Sequence, residues 1–287
     1  MLNILNNRGG WRYALAAVVV AVGAVAMNGC KEKAAKVEQV ETGIATPIAE
    51  TSQEAPVADE AVETVAAETD EAVVDGKMLT YGSHQYTVSG EINPNDGVKG
   101  YRNKPTASVT FTNVPADYAE FEAVYKGLLG KSIQGTAGMI PMAIELYARH
   151  AKTGEKCLNL LCNSKATASG IVRILKTKLV ASEYGPENDS YLQRYLAAAL
   201  LKGASCDNGY SPVEPYTVEM CPSVNKPQAV TGGTDTFLYI LAPGGWDTMQ
   251  RGVEVFQPTG SDLYKVYNCP SCYTQCKNIV GTWQGLK

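Results

Sequence analysis

The sequence predicts an α+β domain in which N-terminal strands and a helical layer precede an antiparallel four-stranded meander. Apolar residues recur at helical spacing between residues 115 and 202, which indicates helices that bury one face. Apolar and polar residues alternate on either side of that region, which is typical of half-buried strands. Consecutive short strands without intervening helices favour antiparallel pairing.

The first strands and the first helix are predicted from alternation and from a proline. Residues 79–88 and 108–112 alternate apolar and polar side chains, and Gly, Pro or Asn residues bound each segment. A helix is predicted after Pro115, a favoured first-turn residue, and Gly130 is placed to end it.

The later helices and strands are predicted from the same two patterns, helical spacing and alternation of apolar residues. Ser132 is predicted to cap a second helix, and Pro141 should kink that helix or mark where it properly starts. Further helices are predicted over residues 155–162, 168–179 and 186–202. Four strands are predicted over residues 216–221, 236–241, 251–257 and 262–268.

The N-terminal end has the layout of an export signal. Arg8 and Arg12 precede a run of mostly Ala and Val over residues 13–27, which is shorter than the roughly 20 residues that span a bilayer core. The run closes on Met27-Asn28-Gly29-Cys30, the pattern of a bacterial lipobox. The alternatives are a plain cleaved signal and a retained membrane anchor.

Residues 1–29 are therefore predicted to be a lipoprotein signal peptide, with the lipid on Cys30. Lys31 and Glu32 follow the lipid site, and neither is the aspartate associated with retention at the inner membrane. The expected location is the cell envelope, at the outer membrane facing the periplasm or the surface.

Residues 30–76 are predicted to be an acidic disordered tether ahead of a single domain at 77–287. From residue 31 to residue 76 there are three Lys against twelve Asp and Glu, and no aromatic residue. Such a segment cannot bury a core, and its like charges keep it extended. The alternative is a fraying Ala/Glu helix that would serve the same spacing role.

The charge balance of the domain argues against nucleic acid as a partner. The whole chain carries −4, and removing the +2 of the signal and the −9 of the tether leaves +3 for residues 77–287. No basic stripe is present to follow a phosphate backbone. The expected partners are the membrane, through the lipid at Cys30, and an envelope protein or a small ligand; no cofactor is predicted.

Two motifs resemble a bacterial family known only as a domain of unknown function. Residues 203–218 contain Gly-Ala-Ser-Cys-Asp-Asn-Gly-Tyr-Ser-Pro and then Pro-Tyr-Thr-Val, and residues 244–251 contain a Gly-Gly-Trp-Asp loop followed by Arg251. The family occurs on lipoproteins and on small unexported proteins and has no assigned reaction. The resemblance covers about residues 107–268, so the tail from Cys269 onward is expected to lie outside it. Cys206 stands where the family usually has Pro.

Seven cysteines remain after Cys30, and an exported location favours their oxidation. The odd number leaves one thiol free, mispaired between chains, or acting as a ligand. Cys157 and Cys162 lie in a predicted helix with α-carbons beyond the ~7 Å bridging limit, so they should not pair. Cys206 and Cys221 flank the first motif, and a bridge between them would contribute about 3 kcal/mol on the chain-entropy model. The disulfide candidates are Cys206, Cys221, Cys269, Cys272 and Cys276.

Cys269-Pro270-Ser271-Cys272 is the sharpest chemical motif, because Cys-x-x-Cys spacing can lower a thiol pKa and cycle between dithiol and disulfide. A thioredoxin-like fold needs more chain than the fifteen residues that follow Cys272, which favours a structural clip that includes Cys276. A zinc site would lack a second paired motif.

No catalytic constellation is apparent elsewhere in the sequence. His84 and His150 are the two histidines, and no Gly-x-Ser-x-Gly motif occurs. Carboxylates are spread along predicted helix surfaces, and none is singled out as an acid or base. The sequence therefore predicts a lipid-anchored, non-enzymatic binding or structural module. The alternatives are an envelope thiol–disulfide enzyme that uses Cys269 and Cys272, and association of chains through a free cysteine.

Overall fold

The computed structural model describes residues 73–75, 77–93, 103–180 and 192–287. Chain contacts divide the protein into units 1–64 and 65–287, and every described residue belongs to the second unit. The described ranges contain five α-helices and nine β-strands. The helices are α1 (Tyr118–Gly127), α2 (Ile133–Gly138), α3 (Ile140–Arg149), α4 (Ala151–Leu161) and α5 (Lys165–Leu179); the strands are β1 (Val73–Asp75), β2 (Met78–Tyr81), β3 (His84–Gly90), β4 (Ala107–Phe111), β5 (Tyr216–Pro222), β6 (Gln228–Val230), β7 (Gly233–Leu241), β8 (Gln250–Pro258) and β9 (Lys265–Asn268).

All nine strands belong to one antiparallel sheet with the order β1-β2-β3-β4-β5-β7-β8-β9, and β6 pairs with the start of β7. The mixed class, with strands, then a helical region, then further strands, agrees with the prediction. The four predicted C-terminal strands correspond to β5, β7, β8 and β9, but they are not a separate meander. Val109 of β4 pairs with Val218 of β5, and this pairing joins the N-terminal strands to the rest of the sheet.

The single strand predicted over residues 79–88 is instead the β2–β3 hairpin. Gly82 and Ser83 form its two-residue turn, and Gly82 adopts a positive φ of 54°, which a glycine tolerates without steric cost. The turn shifts the alternation by one residue, because Leu79 faces the core before it whereas Tyr86 and Val88 face the core after it. This change from odd to even positions is the signal that separates two strands from one.

The starts of α2 and α3 follow the predicted signals, but α1 has neither Pro115 in its first turn nor Gly130 at its end: it ends at Gly127, and Gly130 lies in the 3-10 turn Leu129–Lys131. Asp117 caps α1, Ser132 caps α2, and Pro141 lies in the first turn of α3, so it starts a new helix rather than kinking an old one. The helix predicted over 186–202 is wrong in its described part. Residues 192–202 form turns and a 3-10 helix, Ala198–Leu200, and are buried on nearly every side. Residues 186–191 lie outside the described residues.

Strands β1 and β6 were not predicted. β1 lies inside the range predicted for the tether, so the sheet starts upstream of the expected boundary at residue 77. The export signal, Cys30 and residues 30–72 lie outside the described residues. None of the described helices is long and apolar enough to cross a membrane.

Close contacts at glycines hold α2 against the sheet and α4 against α3. A Cβ atom at Gly138 of α2 would lie 2.5 Å from the Val109 side chain, so this helix rests directly on β4. At Gly154 of α4 a Cβ atom would lie 2.2 Å from the Tyr147 Cα of α3. The link between α4 and α5 reaches the last strand, where Cys162 forms a parallel bridge with Val266.

Candidate functional site

A polar pocket lies where the β2–β3 hairpin meets the start of α1. Its volume is about 230 Å³. Seven residues line it, and all of them come from the hairpin turn and the first turn of the helix: Tyr81, Gly82, Ser83, His84, Ala116, Asp117 and Glu120. Two short local features of the chain therefore build the whole site.

The start of α1 turns one carboxylate inward. Asp117 is the N-cap, and its Oδ1 accepts a hydrogen bond of 2.9 Å from the Glu120 amide. The Glu120 side chain folds back, and its Oε2 accepts a hydrogen bond of 2.6 Å from the Ala116 amide. This arrangement resembles a capping box and holds the Glu120 carboxylate beneath the hairpin.

Glu120 is the centre of a buried hydrogen-bond network. Its side chain is 3% exposed, and its Oε1 accepts 2.7 Å hydrogen bonds from the Tyr86 hydroxyl and from Nδ1 of His84. Burial, followed by the Glu120 charge, raises the pKa of Tyr86, so the phenol stays a donor. With the Ala116 amide, three donors face one carboxylate, which satisfies the buried charge.

The network fixes the tautomer of His84. A carboxylate accepts but does not donate, so Nδ1 carries a proton, and the neutral form of the ring is the tautomer with its lone pair on Nε2. The His84 side chain is 22% exposed and lines the pocket. In its neutral form, His84 has a second ring nitrogen, Nε2, that Glu120 does not occupy and that can accept a hydrogen bond or a proton.

In the sequence, His84 is one of two histidines, and Glu120 does not stand out among the carboxylates of the predicted helices. They lie 36 residues apart, and no local pattern indicates that the hairpin reaches α1. One available signal was the Asp117-x-x-Glu120 spacing, which marks a helix start with a back-folded acid. A second was that His84 and Tyr86 occupy the same face of a strand.

The Cys-x-x-Cys motif lies at a buried 3-10 turn after β9. Cys269 precedes the turn Pro270–Cys272, and the two cysteine residues are 2% and 0% exposed. The hydrogen bond between their thiols, then burial, raises the pKa of Cys269 well above its ordinary value. Cys162 lies near the pair, and burial raises its pKa to about 12.

Cys276 lies apart from that pair, in a second cluster. The Gln193 side chain makes two hydrogen bonds to the Cys276 backbone: Nε2 donates to the Cys276 carbonyl at 2.7 Å, and Oε1 accepts from the Cys276 amide at 3.0 Å. Tyr210 donates to the next carbonyl, that of Lys277. Cys206 is near enough for its charge to affect the pKa of Cys276, and the Cys206 carbonyl accepts from the tail.

No disulfide joins any of the seven cysteines that the structure describes, so the expected bridges stay predictions. Cys221 is buried in β5 and bonds to Gln250, whereas Cys206 neighbours Cys276. Cys157 is buried in α4. Within the described ranges, no group of three or more His, Cys, Asp or Glu residues is placed to hold a metal ion, so the three tail cysteines do not assemble the zinc site considered from the sequence.

The two resemblance motifs have packing roles. Tyr210 is fully buried and stacks on Tyr195 with ring centroids 4.7 Å apart. Trp246 and Arg251 pack together, with the guanidinium 4.7 Å from the indole centroid. The Asn208 side chain accepts from the Ser205 amide and closes a capping box. These contacts support the structural interpretation of both motifs.

Comparison with known proteins identifies a family but no activity. A family model described as a domain of unknown function, DUF6935, matches residues 113–280. The match includes Cys269, Cys272 and Cys276, so the expectation that the cysteine tail lies outside the resemblance is wrong up to residue 280. Glu120 lies within the match, and His84 lies upstream of it. No curated protein and no solved structure matches the chain.

Proposed function

We propose, for a chain that belongs to the DUF6935 family of domains of unknown function, a role as a lipid-anchored binding protein of the bacterial cell envelope. The lipid on Cys30 would hold the chain at the membrane, and residues 31–72 would space the folded domain from it. The support for this address is the charged start, the apolar run and the Met27 to Cys30 ending.

We favour a binding role over a thiol–disulfide enzyme because Cys269 and Cys272 are buried. An attacking thiol must reach its substrate and be partly ionised near neutral pH. The two cysteine residues are 2% and 0% exposed, and the pKa of Cys269 is raised. In contrast, the pocket at His84 opens to solvent and presents polar groups that are already oriented.

Membrane fractionation tests the anchor. We expect the native chain in the membrane fraction and a Cys30→Ser variant in the soluble fraction, because the substitution removes the lipid attachment atom. Cys206→Ser is the matched control and should stay at the membrane. Mass spectrometry that found an unmodified chain retaining Met1 would contradict the proposal.

Thiol reactivity tests the choice between the two roles. After mild reduction, we expect the half-buried Cys206 to be alkylated faster than Cys269 or Cys272 at neutral pH. An apparent pKa of Cys269 well below about 8.5, together with turnover of a disulfide substrate, would establish the enzyme instead.

A further inference from the structure

From the pocket between the β2–β3 hairpin and α1, we infer that this domain binds a small ligand carrying a primary ammonium group, held between His84 and Asp117. The inference rests on the proposed role as a binding protein and adds the chemical class of the ligand. Three observations carry it: the tautomer of His84, the charge of the lining residues and the size of the cavity.

The first observation is that the pocket offers acceptors. Glu120 occupies Nδ1 of His84 at 2.7 Å, so in the neutral ring the opposite nitrogen, Nε2, is the acceptor. Asp117 uses Oδ1 for the helix cap, which leaves its second oxygen as an acceptor at the rim. A ligand that fits these groups must donate hydrogen bonds, and an ammonium group has three donors.

The second observation is the sign of the charge. Among the seven lining residues, two are carboxylates and none is Lys or Arg. The three donors that bond to Glu120 satisfy its oxygens but leave its charge in place. Two carboxylates without a lysine or arginine favour a cation over a neutral donor of the same shape.

The third observation is size. A cavity of about 230 Å³ lies below the volume of pockets that enclose drug-sized molecules. It admits a short aminoalkyl group, either as a small free amine or as the end of a longer molecule. Tyr81 adds an aromatic side chain to the lining, and an aromatic ring stabilises a nearby cation.

The two histidines make the test specific. In the full chain labelled with 15N, long-range proton–nitrogen spectra report the ring nitrogens of His84, and His150 serves as an internal control because it does not line the pocket. The probe is ethylammonium chloride, with ethanol and sodium acetate as controls matched in size. We expect ethylammonium alone to shift the His84 nitrogens while the His150 signals stay in place.

An Asp117→Asn variant tests the charge without removing the helix cap, because Asn caps as well as Asp does. We expect about two- to fivefold weaker ethylammonium binding with an unchanged melting temperature. Glu122→Gln is the matched control, since Glu122 is on the same helix and outside the pocket. It should bind like the native chain.

The inference fails if ethylammonium leaves His84 unmoved, if His84 and His150 shift equally, or if ethanol or acetate binds as well as ethylammonium. It also fails if Asp117→Asn and Glu122→Gln weaken binding to the same extent. None of these outcomes affects the fractionation of Cys30→Ser, so failure of the ligand class is distinguishable from failure of the anchored binding role.

Discussion

The Cys276 thiol is 4% exposed, and burial raises its pKa from 9.0 to about 11. The folded protein therefore holds this proton more tightly than the unfolded chain does. Under reducing conditions, the stability that this thiol contributes is fully present below pH 9. It falls by about 1.4 kcal/mol per pH unit as the pH rises towards 11.

Denaturant unfolding at several pH values measures this contribution. A Cys276→Ser variant cannot lose a proton in that range, so its free energy of unfolding should fall less steeply than that of the native chain. Ser271→Ala removes a hydroxyl from the same tail and should keep the native slope. Equal slopes for all three proteins would contradict the assigned role of the Cys276 thiol.

Single residues also mark the limit of what the sequence predicts about the site. Glu120 and His84 are visible in the sequence, and the first-turn position of Glu120 is predictable from Asp117. Their contact is not predictable, because it depends on where a hairpin lies relative to a helix that follows much later in the chain. The cysteines show the same limit. Cys269 and Cys272 were paired by local spacing, whereas the placement of Cys206 near Cys276 depends on the path of the tail.

At the scale of elements, two helical glycines should respond oppositely to alanine. At Gly154 a Cβ atom would overlap the backbone of Tyr147, so Gly154→Ala should cost about 1–3 kcal/mol or more. At Gly170 of α5 nothing lies within 4 Å of the added atom, so Gly170→Ala should gain about 1 kcal/mol from helix propensity.

Thermal unfolding separates these two effects. About 1 kcal/mol shifts the melting temperature of a domain of this size by about 2–4 °C. We therefore expect the two variants to move in opposite directions from the native value. A Gly154→Ala variant that melted at or above the native temperature would show that α3 and α4 do not approach as closely as described.

Periodicity predicted the elements well where each one has a buried face and an exposed face. Helices α1 and α5 are such elements, and their buried residues recur at helical spacing. Periodicity gave wrong predictions in two other places. At the Gly82-Ser83 turn the buried positions change from odd to even, which the prediction of one continuous strand over 79–88 did not include. The segment 192–202 is buried on nearly every side, so helical spacing carried no information there.

At the scale of the whole molecule, the boundary of the domain can be tested by truncation. A chain that begins at Val73 keeps β1 and should melt within about 1 °C of the native chain, because the acidic segment before it lacks the residues needed for a core. A chain that begins at Lys77 loses the three pairs between β1 and β2. It should melt lower, by about 2–4 °C for each 1 kcal/mol lost.

Circular dichroism melts of the two truncated chains supply the measurement. Equal melting temperatures would place the boundary at residue 77 after all. A loss in the chain that begins at Val73 would instead show that residues upstream of Val73 stabilise the domain.

The single sheet could not be predicted because its central pairing is not local. Val109 and Val218 are both recognisable strand residues, but nothing near either position indicates its partner. The class of the fold follows from the order of elements, whereas the joining of two groups of strands depends on how the helices between them fold back.

The bridge between Cys162 and Val266 also affects how neighbouring molecules can meet. The Asn163 amide donates to the Val266 carbonyl, so a polar group on the outer edge of β9 already has its partner. Sheets polymerise when the outer strand of one copy pairs with the outer strand of the next. Pairing of β9 with β1 of another copy would have to break this hydrogen bond. For a protein held at a membrane beside other copies, as proposed above, this contact disfavours edge-to-edge pairing of neighbouring domains.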